Sequence, residues 1–212
     1  MSTAKANAAR AKTIIKNLEK RNMEGVYCAS KEDALKQALS YIEKGSSVSW
    51  GGSMSIEEIG LIDAVKAGDY QVIDRSIAKN YDEQREIFSK IVLSDYFLMS
   101  SNAVTLDGVL INIDGTGNRV GPLCYGPKHV IMIVGMNKVV SNAEDGIARV
   151  RNIATPPNCI RLGLETPCSI TGRCADCYGD TCICSDIVVT RRQSAAMRGR
   201  IKVILVGESL GY

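Results

Sequence analysis

Residues Val130-Ile-Met-Ile-Val134 form a near-continuous apolar run. A strand buried on both faces of a parallel sheet presents such a run, because helices cover it from either side. Ile187-Val-Val-Thr190 and Ile201-Lys-Val-Ile-Leu-Val206 read as the strands that close the chain. Working back towards the N-terminus, short strands alternate with capped helices. The strands are Gly25-Val-Tyr-Cys-Ala, Ser47-Val-Ser-Trp50, Tyr70-Gln-Val-Ile-Asp74, Tyr96-Phe-Leu-Met-Ser100 and Val109-Leu-Ile-Asn-Ile113, the last after an Asp107-Gly108 turn. Between them, Ser30 with Asp33 opens a helix running to Gly45. Ser55 with Glu58 forms a Ser-x-x-Glu capping box for a helix ending at Gly68, and Tyr81 to Leu93 is helical. Asn142 caps a helix that Pro156-Pro157 stops. The alternation predicts an α/β fold in three α/β/α layers, with a mostly parallel sheet.

The composition fits this class. Among 212 residues, 45% are hydrophobic but only 5% aromatic, so the core must be aliphatic. The 26 basic and 23 acidic residues leave a net charge of +3, too little for a nucleic-acid surface. No apolar run approaches the ~20 residues of a membrane span, and the charged start lacks a signal-peptide core, so a cytoplasmic protein is expected. Residues 1–22 place Ile14, Ile15 and Leu18 at helical spacing among Lys5, Arg10, Lys12, Lys16, Lys20 and Arg21. They read as an N-terminal amphipathic helix with a solvated basic face, against residues 23–212 as the α/β domain.

Two loops could carry chemistry. Trp50-Gly51-Gly52-Ser53 joins a strand to a helix start, where free N–H groups favour an anion. Neither a dinucleotide fingerprint nor a P-loop is present. Asn112-Ile-Asp114-Gly115-Thr116-Gly117-Asn118-Arg119 combines a carboxylate, hydroxyl, amides and guanidinium with two glycines. Asp114 is the candidate general base and Arg119 the anion clamp. The bland reading is a turn in which Asp114 and Asn118 bond the backbone. Gly51, Gly52, Ser53, Asn102 and residues 114–119 form the expected ligand site, since ligands sit beyond the carboxyl ends of strands in open sheets. The sole histidine, His129, excludes a multi-histidine metal site and reads as a strand-edge residue. Lys128 and Lys138 read as residues flanking the strand.

Five of the eight cysteines, Cys168, Cys174, Cys177, Cys182 and Cys184, fall within the loop 166–185. The Cys174-x-x-Cys177 spacing lets two thiolates share a metal. Cys168, Cys174, Cys177 and Cys184 are the expected ligands of a [4Fe–4S] cluster or zinc, with Cys182 spare. Disulfides and inert buried thiols are the alternatives. Cys28, Cys124 and Cys159 are read as packing residues.

Several segments, in order, resemble the lactate-utilisation (LUD) domain family. They are Gly51-Gly-Ser-Met-Ser-Ile-Glu-Glu-Ile-Gly60, Asn112 to Arg119, Tyr125-Gly-Pro-Lys-His-Val, Gly135-Met-Asn-Lys138, Arg149-Val-Arg-Asn-Ile-Ala-Thr-Pro, Thr166-Pro-Cys168, Thr171-Gly-Arg-Cys-Ala-Asp-Cys177, Ile183-Cys184 and the tail Gly199 to Gly211. The resemblance implies a fold like the NagB/RpiA/CoA-transferase group, whose ligands lie over glycine-rich loops at strand ends. That group's CoA-transferase glutamate and an isomerase acid–base pair are not found here. Lactate-utilisation proteins proper work with partners carrying iron–sulfur clusters, whereas this chain is similar to a short stand-alone branch with its own cysteines. The leading reading is a protein binding a small anionic metabolite, in organic-acid metabolism or a linked redox step with a redox partner protein. A homo-oligomer is among the expectations. The alternatives are a non-catalytic subunit with a structural zinc or cysteine staple, and a sugar-phosphate isomerase or transferase.

Overall fold

The computed structural model describes residues 1–212. In chain order its elements are α1 (Ser2–Lys20), β1 (Glu24–Cys28), α2 (Lys31–Ser40), β2 (Ser47–Trp50), α3 (Met54–Glu58), α4 (Leu61–Ala67), β3 (Gln71–Ile73), α5 (Tyr81–Val92), β4 (Tyr96–Met99), β5 (Ala103–Thr105), β6 (Leu110–Asp114), α6 (Val120–Cys124), β7 (His129–Gly135), β8 (Val139–Val140), α7 (Ala143–Arg149), α8 (Thr155–Arg161), α9 (Pro167–Thr171), β9 (Asp186–Thr190) and β10 (Ile201–Val206).

Six strands form one wholly parallel sheet in the order β1-β10-β7-β4-β2-β3. The continuous apolar runs are explained by its two covered faces, because successive side chains point to opposite sides. Phe97, Met99, Val130, Met132, Val134, Val203 and Leu205 pack with α1, α5 and α6. Leu98, Ile131, Ile133, Ile204 and Val206 face α2, α3 and α4. Three layers result, and the amphipathic α1 is one of their walls. Its Ala11, Ile14 and Leu18 are fully buried in the same core as β7 and β10. His129 opens β7 stacked on Tyr96, with Nδ1 buried and unpartnered. Burial pushes its pKa down.

Five details differ from the sequence reading. The 109–113 strand lies as β6 in a second sheet, β8-β5-β6-β9, antiparallel to both neighbours. A parallel partner would need a crossover of about a dozen residues or more. Only the tight turn at Gly108, with φ of +77°, separates β5 from β6. Ser55 does not cap its helix: Ser53 holds the N-cap position, and the buried Ser55 hydroxyl faces inward. That helix is broken at Gly60, where φ of +72° starts α4 afresh. The 31–45 helix ends at Ser40. Pro156-Pro157 does not stop a helix either. After the Asn142-capped α7, a π-helical turn at Val150–Ala154 leads into α8, and both prolines occupy its first turn, where a missing N–H costs least.

The second sheet buries Val104 and Leu110 against the main core, and Ala103, Ile111 and Ile113 against the π-helical turn. From β2 the chain leaves towards α3 on one face. From the adjacent β4 it leaves towards the second sheet on the other. Neighbouring strands that exit to opposite faces leave a crevice at their carboxyl ends.

Replacing Leu18 by Ala tests whether α1 is a core layer. Urea unfolding should show a loss of about 2–5 kcal/mol. A change within about 0.5 kcal/mol, as at a surface position, would reduce α1 to an appendage.

Candidate functional site in the crevice of the parallel sheet

The crevice holds a cavity of about 300 Å³. Its walls come from the ends of β2, β4 and β6, from Lys138 after β7, and from the π-helical turn and α8. π-helical turns often mark functional positions, and here Val150 and Ala154 face the cavity.

Arg119 organises the site. It is only 8% exposed. Its Nη1 donates to Asn112 Oδ1 at 2.6 Å and Ser100 O at 3.4 Å. Its Nη2 donates to Asn102 Oδ1 at 2.9 Å and Ile113 O at 2.8 Å. Burial pushes its pKa down, opposed by the charge of Asp114. Guanidinium nevertheless keeps its proton in proteins. Gly51 is needed behind it, since a Cβ there would approach Arg119 Cγ to 2.7 Å. The Asp114 carboxylate accepts from the backbone N–H groups of Gly115, Arg119 and Val120 at 3.2, 2.9 and 3.1 Å. It thereby caps the start of α6, as in the bland reading.

Of the other expected ligand residues, Gly52, Ser53, Asn102, Gly115, Thr116 and Asn118 line the cavity. Gly117 supplies a turn with φ of +73°. Ser53 Oγ is buried with no hydrogen-bond partner in the protein.

Three cations escaped the sequence reading. Arg75 lines the cavity beside Gly52 and has no ion-pair or hydrogen-bond partner for its guanidinium. Arg149 is 8% exposed and ties Asn137 O, Asn102 O and Tyr212 O together. Lys138 is 4% exposed, with Nζ 2.8 Å from Ser55 Oγ and 3.2 Å from Ser100 Oγ. Its pKa is lowered to about 7, first by burial and then by Arg149, against an opposing pull from Glu58, with Arg119 adding the least. Lys138 and Arg149 stand in quoted family segments, the only sequence signal they carried. Arg161 on α8 adds a further cation, while Asp114 is the one carboxylate side chain in the lining.

The cysteine loop folds beside this cavity, with Ile183 in its wall and packed on Gly115. All eight cysteines are free thiols. No group of three or more His, Cys, Asp or Glu is placed to hold a metal ion. Cys168 Sγ lies 3.9 Å from Cys159 Sγ, bringing in a residue read as packing. Cys174 accepts from Asp176 N beside the Arg151–Asp176 ion pair. Cys184 sits 3.7 Å from Thr155 Oγ1, its pKa raised to about 11 chiefly by burial.

Lys138 should leave a signature in stability. Its folded pKa lies below that of an unfolded lysine, so the unfolded chain binds more protons between the two values. Its contribution to stability therefore rises as pH increases from about 7. Wild type minus Lys138→Met, measured by urea unfolding, should gain on the order of 1–3 kcal/mol between about pH 7 and 9. A flat difference would mean an ordinary, charged lysine.

No curated protein matches the chain. Among solved structures, the crystal structure of a DUF162 family protein from Deinococcus radiodurans is similar at 13% identity, with a TM-score of 0.55, over 94% of this chain and 98% of that one. At that identity the likeness establishes the fold. The LUD domain model matches residues 11–206, covering both walls of the crevice and the cysteine loop. The chain belongs to the LUD domain family, which is linked to lactate utilisation.

Proposed function

We propose that the chain binds a small anionic metabolite, a carboxylate or phosphate, in the crevice, as part of organic-acid metabolism or a linked redox step. One observation carries this reading: the cavity gathers the cations Arg75, Arg119, Lys138 and Arg161 around a single carboxylate side chain, Asp114. Arg75 has no carboxylate within ion-pair distance, and Ser53 Oγ has no partner. The one lining carboxylate, Asp114, already accepts three backbone N–H bonds. The buried Ser53 Oγ without a partner is costly, and an anion held by the half-buried Arg75 would satisfy it. About 300 Å³ suits a ligand at the small end of the usual range. No helix is long and apolar enough to cross a membrane.

Within this reading Asp114 and Arg119 act by holding the loops 51–53 and 114–119 around the ligand. The sugar-phosphate alternative raised by the sequence resemblance remains open, so calorimetric titration should include lactate, pyruvate and ribose 5-phosphate. Binding should weaken with salt, and Arg75→Ala should weaken it by about tenfold or more. No binding by any of these anions, or an unaffected Arg75→Ala variant, would contradict the proposal.

The thiols support a second reading, a Cys-ligated metal or iron–sulfur centre reached after local rearrangement. Cys159 stands 3.9 Å from Cys168, and Cys177 is raised by burial and by the adjacent Cys182. Thus Cys159, Cys168, Cys177 and Cys182 are the set best placed to converge. Anaerobic purification with analysis for iron, zinc and sulfide tests it. Metal should be present and should fall in Cys159→Ser. Metal unaffected by that change points back to Cys174 and Cys184, and absence of metal removes the centre.

A further inference from the structure

Lys138 has an arrangement that anion binding alone does not require. It follows β7 in a single 3-10 turn, Met136–Lys138, and reaches back beneath the chain tail. Gly211, at φ of +56°, has room for no side chain there, since a Cβ would lie 2.8 Å from Ser55 Oγ and 3.3 Å from Lys138 Nζ. The two serines facing the amine have committed their own protons. Ser55 Oγ donates to Leu210 O at 3.3 Å, and Ser100 Oγ donates to Ser101 O at 3.2 Å. Both hydroxyls must therefore accept from Lys138. Two N–H donations complete the network for a neutral amine. An ammonium would carry a third proton with no protein acceptor, in a site crowded by Arg119 and Arg149. No carboxylate forms an ion pair with Lys138, and Glu58 is engaged by the backbone N–H of Gly211 at 2.8 Å. What remains on the neutral nitrogen is its lone pair, at the wall of the cavity.

We propose that Lys138 is the reacting amine of the crevice, adding to the carbonyl carbon of a small oxo acid to form an imine. The inference rests on the anion-binding reading, because the unpartnered Arg75 would hold the acid's carboxylate while its carbonyl meets the amine. The nitrogen lone pair forms the new C–N bond, the carbonyl π bond breaks, and a proton moves from nitrogen to the former carbonyl oxygen. Uptake of one proton and loss of water then give the protonated imine. No oxidant or reductant takes part. Ser100, which lines the cavity, places its hydroxyl 3.2 Å from the amine to relay the proton. An amine that titrates near neutrality is suited to such chemistry, since an ordinary lysine is almost wholly protonated there.

The test uses the full chain with pyruvate or glyoxylate and cyanoborohydride at neutral pH, followed by digestion and mass spectrometry. The reduced adduct should concentrate on Lys138, by about tenfold or more over any surface lysine, whose amine is mostly protonated. Excess phosphate or acetate should suppress it. Lys138→Met, which removes the amine, should lose the adduct. Circular dichroism confirms its fold, and the location of the adduct in wild type needs no variant at all. Pyruvate binding without a Lys138 adduct would overturn the imine and leave the anion site standing. Adducts spread evenly over surface lysines would also overturn it. Failure of every anion to bind would remove the underlying reading itself.

Discussion

The buried guanidinium of Arg119 is the constraint on which the rest of the site depends. It joins the end of β4, through Ser100 and Asn102, to the end of β6, through Asn112 and Ile113. Those strands belong to different sheets, so four hydrogen bonds from one side chain fix how the second sheet meets the first. Charge-assisted bonds of this kind are strong, and removing their donor would leave several buried acceptors unsatisfied. The flanking residues conform to it. Gly51 lacks a side chain because the Arg119 stem fills that space, and Asp114 holds the backbone of residues 119 and 120 in place.

A cation fixed at the centre of a crevice sets the electrostatics of its neighbours. Arg119 and Arg149 both disfavour a charge on Lys138, and burial disfavours it more. Arg75 in turn acts against the charge on Arg119. The protein supplies few carboxylates in return, and an incoming anion relieves the imbalance. This is how a fold shared by many chemistries acquires a specific one: the sheet provides the crevice, and the side chains decide what enters it.

The parallel core was legible from sequence because both-faced burial writes itself as continuous apolar runs, as in Val130 to Val134. The two loops at strand ends were legible because their glycines and polar residues follow strands directly. The second sheet was not, since β5 and β8 span three and two residues and leave almost no pattern. Lys138 was passed over because a lysine after a strand is usually solvated. Only the tertiary approach of Ser55, Ser100, Arg119 and Arg149 makes it exceptional. Arg75 was hidden in the same way, in a turn after the short β3. The cysteine run drew the eye to Cys174-x-x-Cys177, yet the nearest thiol to Cys168 is Cys159, nine residues upstream on α8. Spacing along the chain says which thiolates are able to meet, and packing of the helix decides which ones do.

The central claim is that the crevice holds a neutral, available amine among cations that few carboxylates balance. Nuclear magnetic resonance of the chain labelled at lysine Cε, titrated with pH and assigned through Lys138→Arg, measures this directly. The account predicts one lysine titrating near 7, well apart from the rest, and moving on addition of a small carboxylate. A Lys138 signal that titrates with the surface lysines, and ignores added anions, would contradict it.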